Sequence, residues 1–271
     1  VETRYHCASV VADDVRPDGR VLVLDRLRHS YVDLADPTYL DFAYVRAIAA
    51  GIDATYPGSQ PVNALHLGAG GMTLPRYLTE TRPGSVGTVV EIDDGVVSLV
   101  RDRIGPEPPG VDVTLADARV QLAAEPTDGY QVVVGDAFGS VAVPWHLATR
   151  QAAEQVQRVL TPDGLYALNV IDQRPLALLR SQITTLQAVF DHVVLVAQPG
   201  LTRGEEGGNA VLLASDAPLS EPALADLLDE RDASLTVLRG APLAEFAGDA
   251  RVLTDDLAPV DQLLTPYVVE R

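Results

Sequence analysis

Three carboxylates and one glycine-rich turn are the residues in this sequence best placed to do chemistry. The run His66-Leu67-Gly68-Ala69-Gly70-Gly71-Met72-Thr73 stands where an apolar stretch gives way to a helical pattern. Glycines at such a turn let the backbone approach a ligand closely. Glu91 closes the next apolar stretch, Asp117 (followed by Ala118) comes just after the third, and Asp136 ends the fourth. In a parallel sheet these are the carboxyl ends of successive strands, and they rim one crevice. A carboxylate ending the second strand suits the two hydroxyls of a ribose, and one after the third suits an adenine amino group. Each acid alone reads equally well as a helix N-cap or first-turn residue. The three together favour a nucleoside. A dinucleotide fits poorly, because Thr73 stands where its fingerprint wants glycine or alanine and pyrophosphate would enter an acidic rim. A sulfonium nucleoside is cationic and matches that field.

Around these groups the chain is patterned as alternating strands and helices. Before Pro61, the runs 4–12, 20–25 and 27–32 read as short antiparallel strands about the turn Pro17-Asp18-Gly19. Leu40, Tyr44 and Ile48 predict a helix over 38–51, ended by Gly51. Strands are then expected at 62–68, 86–92, 111–116, 130–135 and 164–171, with helices at 74–81, 95–104, 119–124, 149–160 and 176–190. Two further runs, 192–198 and 210–215, are joined by a loop too short for a crossover helix and so predict an antiparallel pair. The tail from Glu221 adds one or two helices. The fold class is α/β, a Rossmann-like methyltransferase-type sheet that is mostly parallel with an antiparallel last strand. A small N-terminal antiparallel β-module (1–36) precedes the nucleoside-binding catalytic domain (37–271).

Composition removes several function classes. The 271 residues hold 38 acidic against 20 basic side chains, a formal charge of −18, which argues against nucleic acid as a partner. There is no lysine, so Schiff-base chemistry and the P-loop are ruled out. A single cysteine, Cys7, and five dispersed histidines (His6, His29, His66, His146, His192) argue against a disulfide and a metal site. The absence of a membrane-length apolar run and of an opening signal peptide predicts a cytoplasmic protein. The start at Val1 suggests a fragment of a longer chain. Exposed strand edges in the β-module predict a homodimer or larger assembly.

The order of these pieces resembles the spermidine synthase family, the polyamine aminopropyltransferases. Glu2-Thr3-Arg4-Tyr5 and Val21-Leu22-Val23-Leu24-Asp25 resemble its N-terminal β-module, and Asp41-Phe42-Ala43-Tyr44 its Asp/Glu-Phe-x-Tyr helix. Gly68-Ala69-Gly70-Gly71, Val90-Glu91-Ile92-Asp93, Ala116-Asp117-Ala118 and Val134-Gly135-Asp136 fall in family order, and the segment from Leu253 to Asp261 resembles one common in bacterial members. Some of those members carry a membrane domain ahead of the soluble one, so the resemblance extends to a possible membrane domain upstream of Val1. It implies decarboxylated S-adenosylmethionine, or S-adenosylmethionine itself, as co-substrate, with no metal and with a small cationic amine as acceptor. Asp136 would take a proton or hydrogen bond from that amine. Gly68, Gly70, Gly71, Glu91, Asp117 and Ala118 would hold the donor, and His29, Tyr44 and Trp145 would face the acceptor.

Four positions depart from the family pattern. Gly71 occupies the place of the acid in the family's Gly-Gly-Gly-Asp-Gly loop, which would hold the donor's amino group. Gly139 replaces the second acid of Asp-x-x-Asp-Pro, which would hold a diamine. His29 stands for a glutamine, and Val45 for glutamine or histidine after the helix tyrosine. Two other readings share the nucleoside half of the site: an S-adenosylmethionine-dependent methyltransferase, and an inactive nucleoside-binding module.

Overall fold

The chain opens with strands β1 (Ala8–Ala12), β2 (Gly19–Leu24) and β3 (Leu27–Asp33), paired antiparallel in that order, in the computed structural model, which describes residues 1–138, 143–231 and 234–264. Helix α1 follows at Ala43–Thr55, shifted toward the C-terminus relative to the predicted span. Gly51 does not end it. A Cβ there would stand 2.8 Å from both methyl carbons of Leu213, so this glycine lets the helix continue while lying close on the sheet.

The alternation then runs as expected: β4 (Asn63–Leu67), α2 (Thr73–Thr81), β5 (Val86–Glu91), α3 (Asp94–Arg103), β6 (Val111–Leu115), α4 (Ala118–Ala124) and β7 (Tyr130–Gly135). A 3-10 turn at Trp145–Leu147 leads to α5 (Arg150–Val159), β8 (Leu160–Asp172), α6 (Ala177–Gln187) and β9 (His192–Ala197). A four-residue helix, α7 (Pro199–Thr202), sits in the loop before β10 (Gly208–Ser215). The tail holds α8 (Glu221–Glu230), β11 (Thr236–Arg239), α9 (Gly240–Ala247) and α10 (Val260–Leu263). Strand β11 and the third helix exceed the expected tail. Each is four residues long, too short to display a period.

The main sheet has eight strands in the order β11-β9-β10-β8-β7-β4-β5-β6. Strands β4 to β8 are mutually parallel, and β10 inserts antiparallel between β8 and β9. The order reverses between β4 and β7, and the crevice above such a switch point is where doubly wound sheets bind ligands. Each buried strand feeds two cores. Leu65, Val133 and Leu168 pack with α5 and α6, while Ala64, Val132, Val134 and Ala167 pack with α1, α2 and α8. The N-terminal sheet closes over α3 through Ala8, Leu22, Val32, Val96 and Val100.

One ionic network ties the helices on the α1 face together. Arg82, fully buried, donates from Nε and Nη2 to Asp53 Oδ1 at 3.2 and 2.5 Å and from Nη1 to the Gln60 carbonyl at 2.9 Å. Tyr77 and Arg231 donate to the other oxygen of Asp53. A guanidinium with no exposure is tolerated because its donors meet carboxylate and carbonyl oxygens.

Candidate active site

The turn between β4 and α2 is held by a carboxylate. Glu91, the last residue of β5, accepts from the Ala69 N–H on Oε2 at 2.9 Å and from the Ile92 and Asp93 N–H groups on Oε1 at 2.9 and 3.0 Å. Gly68 lies at φ +101°, and a Cβ there would be 2.5 Å from the Asp136 carbonyl oxygen, so only glycine lets β4 and β7 come this close. Asp117 is the N-cap of α4: Oδ1 accepts from the Arg119 and Val120 N–H groups. Its other oxygen, Oδ2, stands 3.3 Å from His146 Nε2. Asp117 is thus a helix N-cap that also lines the cavity of the site.

Asp136, one residue past β7, is the chemically distinctive acid. Asn169 Nδ2 donates to its Oδ1 at 2.8 Å, and the Tyr44 hydroxyl lies 3.3 Å from its Oδ2. Burial pushes its carboxyl up to about 6, although both hydrogen bonds favour the ionised form. Tyr44 is itself held well above the ordinary phenol range by burial and then by the nearby Asp136 charge, so it remains a neutral donor. Asn169 is 2% exposed, and its own Oδ1 is buried without a hydrogen-bond partner. Burial, followed by the nearby His6, lowers the pKa of His29.

These groups line one cavity of about 1110 Å³. Gly68, Gly70, Glu91, Asp117, Ala118 and Asp136 face it, as do His29 and Tyr44. Two expected residues do not. Gly71 is covered by the N-terminal sheet: its N–H donates to Ser30 Oγ at 2.9 Å, and Ser30 takes the place on the cavity wall. Trp145 is 52% exposed and lies outside the lining, whereas His146 and Leu147 belong to it. In a 3-10 turn successive side chains point about 120° apart, so one of the three must face away. Gly139 lies outside the described residues.

Sequence reasoning missed Asn169 and Ser30 and gave His66 only as the start of the glycine-rich run; all three line the cavity. His66, on β4, is 3% exposed, and burial lowers its pKa to about 4, so it stays neutral. The signal for Asn169 was present as a lone amide inside the apolar run Leu165 to Ile171. A buried polar residue in a central strand requires a partner.

No protein-family model matches the chain. The polyamine aminopropyltransferase of Vibrio vulnificus is 29% identical over 240 residues, covering 82% of this chain and 75% of that protein. The crystal structure of a probable spermidine synthase from Corynebacterium glutamicum superposes with a TM-score of 0.87 at 27% identity, covering 98% of both chains. The eEF1A lysine and N-terminal methyltransferase of Danio rerio is 29% identical over 174 residues, 60% of this chain but 24% of that protein. Among the described residues no helix is long and apolar enough to cross a membrane. Likeness over most of the sequence and nearly all of the structure, with the acids standing at the strand ends, makes this a spermidine synthase-like chain, similar to the polyamine aminopropyltransferases, which are transferases.

Proposed function

We propose that the protein moves an aminopropyl group from decarboxylated S-adenosylmethionine to an amine. The observation that carries this reading is Asp136, a carboxylate with a pKa raised to about 6, set between Asn169 and Tyr44 on the wall that also presents Glu91 and Asp117. The reaction is an in-line displacement. The amine lone pair forms the N–C bond, the C–S bond breaks, and its electron pair leaves on sulfur as a neutral thioether. The new ammonium gives up a proton to Asp136, which passes it to solvent.

The protein's task is alignment and proton removal. Glu91, already fixed by three backbone N–H groups, keeps one lone-pair site on Oε2 for a ribose hydroxyl. Asp117 Oδ2 and the start of α4 at Ala118 face the base. Gly68 and Gly70 give the sulfonium side room against bare backbone, and no metal is required. Asp136 matches its task because a carboxylate near 6 is ionised at neutral pH yet basic enough to share a proton with an ammonium. His29 and Tyr44 border the acceptor.

Mass spectrometry of the nucleoside left after incubation with donor and amine tests the reaction. Methylthioadenosine is the expected product. S-adenosylhomocysteine would mean methyl transfer, and neither product would mean a binding protein.

A further inference from the structure

Arg46, on the first turns of α1, lines the same cavity. Its Nε is buried with no partner, and no described residue accepts a hydrogen bond or forms an ion pair with its guanidinium. Of the other charged side chains on this side, Arg26 is exposed and the rest are held. Arg28 pairs with Asp41 at 2.8 Å, and Asp25 is held by His6 and the Cys7 N–H. Helix α1 packs on β8 and β10, the strands beyond Asp136 from the ends of β5 and β6 that carry Glu91 and Asp117. Arg46 therefore belongs to the acceptor side of the crevice. There the cavity offers one buried acid to an amine, Asp136, with Asn169 beside it, and a half-buried cation, Arg46, that no described residue pairs.

A second ammonium, as in a diamine, finds no unpaired carboxylate beside Arg46 among the described residues and meets a like charge. A carboxylate finds a guanidinium, whose planar donor set can bind it with two parallel hydrogen bonds from the terminal nitrogens. Resting on the amine-transfer reading above, we propose that the acceptor is an amino acid-type molecule, whose amine is received by Asp136 and Asn169 and whose carboxylate is bound by Arg46.

Ornithine and putrescine share one carbon skeleton and differ by a carboxylate, so they isolate this contact. Calorimetry on the intact protein saturated with methylthioadenosine should show ornithine binding at least tenfold more tightly than putrescine. In Arg46→Gln the ratio should fall to about one, and Arg46→Lys, which keeps the charge without the planar fork, should lie between them. Melting curves establish that each variant is folded. A wild-type preference for putrescine, or a ratio unchanged in Arg46→Gln, overturns the proposal. So does a loss confined to S-adenosylmethionine relative to its decarboxylated form, which would assign the carboxylate to the donor. If no amine is alkylated, the transfer reading fails separately, because these binding ratios need no turnover.

Discussion

Ser30 Oγ occupies the space that a side chain at position 71 would need: it accepts the Gly71 N–H at 2.9 Å, and a Cβ on Gly71 would stand 2.9 Å from the same oxygen. Ser30 Oγ also lies 3.0 Å from Thr73 Oγ1, whose proton goes to the Tyr31 carbonyl, so Ser30 donates there. A hydroxyl supplied from β3 thus fills the space that an acid at position 71 would need.

An acid at that place, which the family resemblance implies, would repel the carboxylate of S-adenosylmethionine, and this chain has glycine there. Wild-type protein should bind S-adenosylmethionine within about tenfold, or ~1.4 kcal/mol, of its decarboxylated form. Gly71→Asp alone should cost about 1–3 kcal/mol of stability through overpacking against Ser30 and Val32. Ser30→Ala combined with Gly71→Asp should recover part of that loss and shift preference toward the decarboxylated donor. Competition calorimetry and thermal unfolding check both effects. A wild-type preference of a hundredfold for the decarboxylated donor would show that another group makes the selection.

Asp136 predicts an acidic limb in the rate profile. Its pKa is raised to about 6, so the ionised form is lost as pH falls through that value, and kcat should fall with it. Asp136→Asn should lower kcat about 10²-fold or more and remove the limb. Because the folded protein binds this proton more tightly than the unfolded chain, the ionised carboxylate destabilises the fold above pH 6. Asp136→Asn should therefore be about 1–2 kcal/mol more stable than wild type at pH 8, with the difference vanishing near pH 4. Denaturant titrations at the two pH values decide it.

Glu91 has two jobs that substitution can separate. Glu91→Ala strands three N–H groups and should both destabilise the protein by about 1–2 kcal/mol and weaken methylthioadenosine binding at least tenfold. Glu91→Gln keeps the shape and should remain folded while still losing affinity. Calorimetry with a folded Glu91→Gln protein that binds as tightly as wild type would remove Glu91 from the nucleoside contact.

Far from the cavity, Asp53→Ala should be the most damaging of these changes to stability. It leaves the fully buried Arg82 without its carboxylate, a loss of about 3–5 kcal/mol. Methylthioadenosine affinity per folded molecule should be retained. Urea unfolding and calorimetry below the transition read the two quantities separately.

By itself the sequence determined the succession of elements and the strand ends at which Glu91, Asp117 and Asp136 stand. Those follow from local periodicity and from turn residues within a few positions of one another. It also contained Gly51, Asn169, Trp145 and Arg46, but not their meaning. Gly51 reads as a helix stop until Leu213, on a strand far along the chain, is seen against it. Asn169 becomes part of the site because parallel pairing of β7 and β8 brings it to Asp136. The tertiary structure alone decided that Ser30 fills the place beside Gly71, that Trp145 turns outward, and that Arg46 enters the cavity with no ion-pair partner among the described residues. The physical reason is that a period specifies which face of an element is buried, whereas a hydrogen bond or a missing counter-charge depends on which distant segment the folded chain lays against that face.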